Sequence, residues 1–338
     1  MRKMRWMAWI LMAVLVLSSA GCSQEEEASE SSGEEIATVR TAYSPFIGGI
    51  GIYAMVEKGL DANHNIGLEI GAYGNTSTLM AVLTGDVDIA FTTIQSYMTS
   101  INALVEEGTA VEELPKIVYL HNESRGADGI VATSDITTVA DLSGKTVSAQ
   151  YGEVTHYMLA QALATAGLTV DDINFMDMSP SRGGAAFIAG QLDAATTFDP
   201  YLTQAVTEAG GNLLISTADL ERCIFDVCIV SADVAEEKPQ WLYDTLAAIE
   251  ESTQYVMNNL TEASELTAST FETTAEEVEA MCSTVYLYTM ADNVEAMAEG
   301  GWLYDTLANI QDFYVSIGEM SDAIDFSQLV DNDFLTAE

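Results

Sequence analysis

Four short turns hold the side chains of this sequence best suited to gripping a small molecule: Tyr43, Ser44 and Phe46; Thr92, Thr93 and Gln95; Tyr151, Glu153, Thr155 and His156; and Asp199 with Tyr201. Asp128, in the run Gly126-Ala127-Asp128-Gly129, adds a further acid. Hydroxyls and amides orient a ligand by hydrogen bonds, and aromatic rings wall it. The carboxylates of Asp128, Glu153 and Asp199 would hold an amine, an amidine or another cationic portion by charge-assisted hydrogen bonds, with cation–π contacts from the rings beside them. Any one of these residues has a plainer use. Ser, Thr and Asp at the start of a helix are ordinary caps, Pro200 suits a first helical turn with Asp199 as its cap, and Phe46 and Phe198 also suit a hydrophobic core. What carries weight is the set, provided the fold brings the turns together.

Catalytic patterns are missing from the sequence. It contains no G-x-S-x-G, H-E-x-x-H or P-loop signature. Its only histidines are His64, His121 and His156, and its cysteines lack paired C-x-x-C spacing, so neither a metal nor a cofactor is expected. Cys223 and Cys228 lie five apart and face opposite sides of a regular strand, so free thiols are the expectation for them and for Cys282.

The elements that must position the turns read as α/β over the first two thirds of the chain. Strands are expected at 37–43, 68–72, 87–91, 115–120, 128–133, 146–149, 173–176, 194–197 and 213–216. One helix ends near Lys58-Gly59, and others begin near Glu153, Ser181 and Asp199. In open α/β sheets ligands lie beyond the carboxyl ends of the strands, where helix N-termini present unpaired N–H groups. Beyond 228–231 the sequence turns to helices rich in Glu, Ala and Leu. There Trp241-Leu-Tyr-Asp-Thr-Leu-Ala247 recurs as Trp302-Leu-Tyr-Asp-Thr-Leu-Ala308. Leu242, Leu246 and Ile249 share one helical face, as do Leu303, Leu307 and Ile310, which predicts two helices docked by similar apolar stripes.

Two stretches carry a family resemblance. GKTVSAQYGEVTHYMLAQAL, from Gly144, is similar to the strand, glycine-containing turn and helix of the nitrate/sulfonate/taurine class of ABC-importer solute-binding proteins, which also resembles thiamin-pyrimidine-precursor binding proteins. MSPSRGGAAFIAGQLDAATTFDPYL, ending at Leu202, is similar to that family's helix, G-x-x-D-A-A strand and acidic-Pro-aromatic turn. The resemblance extends over about residues 38–290 and is strongest over 128–216. It implies a two-lobed α/β clamshell of the periplasmic-binding-protein type (type II), with Asp199 beside the ligand cleft. Lobe one would comprise 37–122, lobe two 123–226, and 227–338 would return to lobe one with the C-terminal helices, through two hinge crossings near 121–127 and 222–230. Glu153 stands where the family often carries a small hydroxyl residue, which argues against simple capture of nitrate or sulfonate at that helix start. Arg125 and Arg182 are the cations nearest the turns, and solvation is the ordinary fate of both. The implied function is capture of a small organic solute, amine-containing or zwitterionic, such as an amino-sulfonate or a pyrimidine, for delivery to ABC permease subunits. A monomer and no catalysis are expected. The alternatives are a solute-sensing lipoprotein and an enzyme of the thiamin-pyrimidine synthase type, whose Cys-rich iron-binding segment this chain lacks.

The N-terminus fits export. Arg2, Lys3 and Arg5 precede an apolar run over 6–17, short of the ~20 residues that span a bilayer, so 1–21 reads as a signal peptide. Ser19-Ala20-Gly21-Cys22 resembles a bacterial lipobox with Cys22 as the acylated residue; the plainer reading is a cleavable signal followed by a spare cysteine. Residues 22–36, rich in Ser and Glu, read as a disordered acidic tether at the outer face of the membrane. The whole chain carries a net charge of −41, and loss of 1–21 removes three cations and no acid. Nucleic acid, which demands a clustered basic footprint, is excluded as a partner.

Overall fold

The computed structural model describes residues 36–43, 45–71 and 75–335, side chains at 75–77 excepted. The expected signal peptide, Cys22, nearly all of the tether and Ser44 lie outside the described residues. Among those described, no helix is long and apolar enough to cross a membrane.

Eleven strands among the described residues form two sheets. The first takes β1 (Ala37–Ala42), β2 (Ile66–Gly71), β3 (Ile89–Thr93), β4 (Lys116–Ser124), β10 (Phe225–Val230) and β11 (Val285–Leu287) in the order β11-β4-β10-β3-β1-β2. The second takes β5 (Asp128–Ala132), β6 (Thr146–Ala149), β7 (Asn174–Asp177), β8 (Ala194–Phe198) and β9 (Asn212–Ser216) in the order β7-β6-β8-β5-β9. In each sheet a parallel set receives an antiparallel strand. β10 lies between β3 and β4 and runs against both, and β5 runs against β8 and β9. Such interior strands are covered on both faces and therefore read as unbroken apolar runs rather than alternations. All six residues of β10 (Phe-Asp-Val-Cys-Ile-Val) and all five of β5 are buried.

Twelve α-helices among the described residues accompany the sheets: α1 (Ile50–Lys58), α2 (Asn75–Leu83), α3 (Ile94–Glu106), α4 (Val154–Thr165), α5 (Pro180–Ile188), α6 (Tyr201–Ala209), α7 (Ala232–Glu237), α8 (Pro239–Asn258), α9 (Leu260–Thr267), α10 (Ala275–Cys282), α11 (Met290–Met297) and α12 (Trp302–Ser316). α1 stops where expected, at Gly59, whose left-handed φ of 74° returns its N–H to the last helical turn. The repeated heptapeptides open α8 and α12. Leu242, Leu246 and Ile249 of the one, and Leu303, Leu307 and Ile310 of the other, are all buried, as the paired stripes require.

The chain leaves the first sheet between β4 and β5 and re-enters it between β9 and β10. Much of the return segment expected at 222–230 is strand β10 itself. The two crossings are laced together: Ser124 N–H donates to Ile224 O at 2.9 Å, Gly126 N–H to Thr217 Oγ1 at 2.8 Å, and Arg222 N–H to Glu123 Oε1 at 2.9 Å. The C-terminal helices return to the first sheet, with Trp302 of α12 edge-on to Phe225 at 5.8 Å. The far end of α12 also reaches the second sheet's helices, where Phe313 meets the rings of His156 and Tyr157 at 5.2 and 5.3 Å.

Candidate functional site

The carboxyl ends of β1, β3, β4, β6, β7 and β8 open onto one cleft of about 740 Å³. The first sheet contributes Tyr43, Phe46, Phe91, Thr92, Thr93 and Asn122. The second contributes Gln150, Glu153, Thr155, Pro180, Phe198, Asp199 and Tyr201, and the helical C-terminal part closes one side with Phe271, Glu272 and Met281. The two inserted antiparallel strands enter from the opposite direction, so it is their first residues that reach the cleft. Asp226 of β10 is in register with Thr93 at the end of β3, and Asp128 of β5 with Phe198 at the end of β8.

These two acids are the most deeply set, with relative exposures of 7% for Asp226 and 5% for Asp128. Asp226 Oδ2 accepts from Asn122 Nδ2 at 2.9 Å and from Tyr43 OH at 3.3 Å. Burial pushes its carboxyl up to about 6 against the pull of those two bonds. Asp128 Oδ2 accepts from Ser124 Oγ at 2.6 Å. Burial, with the nearby charges of Asp226 and Asp199, raises it to about 7 although the Ser124 bond opposes the rise. Burial also raises Glu153. Space for this arrangement is made at Gly48 and Gly49, because a Cβ at Gly48 would collide with the Asn122 amide and one at Gly49 with the Tyr43 ring.

Of the helix starts around the cleft, those of α3 and α6 are capped by side chains and those of α4 and α5 are not. Thr93 Oγ1 accepts from Ser96 N–H at 3.3 Å at the start of α3. Asp199 Oδ1 accepts from Thr203 N–H at 3.0 Å in α6, beside a cis Asp199–Pro200 peptide. Pro180 removes a donor from α5, and Glu153 is the N-cap residue of α4. Thr155 Oγ1 closes the preceding turn by accepting from Gln150 N–H at 3.0 Å.

Of the residues singled out from the sequence, Tyr43, Phe46, Thr92, Thr93, Asp128, Glu153, Thr155, Asp199 and Tyr201 line the cleft; Gln95, Tyr151 and His156 do not. Gln95 follows the cap of α3 and turns inward, its Nε2 donating to Cys223 O at 2.7 Å. Tyr151 is exposed and reaches away, its hydroxyl donating to Ile317 O at 3.1 Å. His156 is buried among Tyr151, Phe175 and Phe313, takes Gly152 N–H on Nδ1 at 3.2 Å, and has its pKa lowered by burial. Arg125 lies over the Tyr286 ring at 4.0 Å and pairs with Glu123, outside the cleft. Asn122, Ser124 and Asp226 were missed. The one signal for Asp226 was an acid standing in an otherwise apolar strand sequence.

Among the described residues no group of three or more His, Cys, Asp and Glu is placed to hold a metal ion, and Cys223, Cys228 and Cys282 are free.

A family model described as NMT1/THI5 like matches residues 48–263. The chain belongs to the NMT1/THI5-like family. A putative aliphatic sulfonates-binding protein of Escherichia coli (strain K12) is 32% identical over 123 residues, 36% of this chain and 38% of that protein. The taurine-binding periplasmic protein of the same organism is 26% identical over 135 residues, 39% of this chain and 42% of that protein. The matched stretch thus spans less than half the length of either relative. In fold the family member described here is similar to the crystal structure of the E. coli periplasmic aliphatic sulphonate binding protein, at TM-score 0.72 and 20% identity over 87% of this chain and 92% of that one. The architecture is therefore the two-lobed periplasmic-binding-protein fold.

Proposed function

We propose that this protein is the extracytoplasmic solute-binding component of an ABC importer. It is exported, held at the outer face of the cell membrane by an acylated Cys22, and works as a monomer without catalysing a reaction. Lobe one (37–122 and 227–338) and lobe two (123–226) close over a small organic solute, amine-containing or zwitterionic, and present it to the permease subunits. The observation that carries this reading is the cleft of about 740 Å³ to which both sheets send their strand ends, astride a laced pair of crossings. That size suits a ligand of small-metabolite dimensions, and a double crossing is the mechanical requirement for one lobe to swing on the other. The two curated relatives named above are binding proteins, which agrees with binding rather than turnover.

The test is calorimetry of the full-length protein in detergent against amines, amino-sulfonates, nitrate, sulfonates and pyrimidines, paired with small-angle scattering. Saturable binding of one class, with a smaller radius of gyration and the solute recovered unchanged, is expected. Absence of binding across the panel, or chemical conversion of the bound solute, overturns the assignment.

A further inference from the structure

We infer that the cleft selects a cation, and that an ammonium or amidinium group of the solute sits between Asp128 and Asp226, one carboxylate from each sheet. The inference rests on the receptor reading and narrows it to a substrate class.

Charge is the first ground. Asp128, Glu153, Asp199, Asp226 and Glu272 all line the cleft, and among the described residues no Lys, Arg or His does. Of the neighbouring cations, Arg125 pairs with Glu123, Arg222 with Glu221 and the Trp302 ring, and Arg182 is exposed outside the cleft lining. Among the described residues no Lys or Arg pairs with Asp128 or Asp226. A sulfonate, by contrast, would find the starts of α3 and α6 already served by Thr93 and Asp199, and the Glu153 carboxylate standing at the start of α4.

Geometry is the second. Asn122 and Ser124, which orient the two acids, are two residues apart on β4. Their side chains therefore leave the same face of the strand about 7 Å apart. Each acid is held through Oδ2, and neither Oδ1 has a hydrogen-bond partner among the described residues. An ammonium or amidinium group entering the cleft would meet these free oxygens with charge-assisted hydrogen bonds.

An unsatisfied donor supplies the third. Thr92 lines the cleft at 2% exposure, and its Oγ1 has no hydrogen-bond partner in the structure. It is in register with Val227, next to Asp226. Buried hydroxyls are usually paired, and this is the one buried, unpaired hydroxyl among the described residues that line the cleft, where a ligand atom would complete it. With Phe46, Phe91 and Phe198 around it, the apolar body of an amine would be walled while its charge is neutralised.

Neutralisation also gives closure a cause. Two carboxylates on different sheets repel until a cation neutralises them, so the ligand favours the closed state over the open one, as a population shift requires.

The experiment titrates full-length protein at pH 8 with 2-phenylethylamine and agmatine, and with the anions 2-phenylethanesulfonate and methanesulfonate. At least one amine is expected to bind and raise the melting temperature, with neither sulfonate doing so. Asp128→Asn and Asp226→Asn are each expected to weaken amine binding at least tenfold while melting cooperatively. Sulfonate binding, amine binding unaffected by both substitutions, or no response to either amine at 10 mM overturns the inference. A neutral or anionic solute that binds with compaction leaves the receptor reading standing while removing the cation clamp; failure of the wider panel removes both.

Discussion

Glu123, the penultimate residue of β4, accepts a hydrogen bond at 2.9 Å from the backbone N–H of Arg222 in the returning crossing. Its other oxygen takes the Arg125 guanidinium at 3.0 Å and Tyr288 OH at 2.8 Å. One buried carboxylate thus fastens the outgoing crossing, the returning crossing and the edge strand β11 to one another.

Removing that carboxylate strands four donors on three residues. Glu123→Ala is expected to cost about 2–4 kcal/mol in urea unfolding. A loss below about 0.5 kcal/mol would mean that water replaces the side chain without penalty and that the knot contributes nothing.

Asp128 and Asp226 have raised carboxyl pKa values, about 7 and about 6, so between the ordinary carboxylate range and those values the folded state holds more protons than the unfolded one. Ligand-free stability from these two groups is therefore greatest at acid pH and is lost as pH rises toward 7. The general repulsion of an acidic chain acts in the same direction, so the informative quantity is the difference from Asp128→Asn. The two proteins should melt together near pH 4, and the variant should be the more stable by roughly 2–4 kcal/mol at pH 8. Parallel melting curves across that range would refute the raised value.

Gly49 lets the Tyr43 ring lie against the start of α1. Gly49→Ala should displace that ring and loosen the grip of Tyr43 OH on Asp226, at a cost of about 1–3 kcal/mol in thermal unfolding. A crystal structure of the variant with Tyr43 unmoved would count against the close approach.

Leu246 and Leu307 occupy equivalent places in the repeated heptapeptide and are both buried. Leu246→Ala and Leu307→Ala should each destabilise by about 2–5 kcal/mol. If either is neutral in guanidinium titration, the two stripes are not equivalent in packing.

Fold was legible because period and punctuation are local. The apolar runs ending in Thr92-Thr93 and Phe198-Asp199 mark strand ends from their own residues, and α1 stops at a glycine that tolerates a left-handed φ. What escaped was non-local. β10 reads as an apolar segment whose place between β3 and β4 is set by pairing partners about a hundred or more residues away, and so the arrival of Asp226 at the cleft could not be foreseen. The same cause explains Gln95 and His156. Their neighbours Thr93 and Thr155 face the turns as expected, but tertiary partners, Cys223 for the one and Phe313 for the other, draw these two side chains inward.

α12 bears on both halves of the molecule, through Trp302 on Phe225 at one end and Phe313 on His156 at the other. One helix thereby packs against the first sheet and against a helix of the second. Anyone converting the protein into a fluorescent reporter gains nothing from dyes near 151 or 317, which travel together through the Tyr151 hydroxyl. Glu272 and Pro200, both exposed residues of the cleft lining, are where a pair of labels would report the proposed closure.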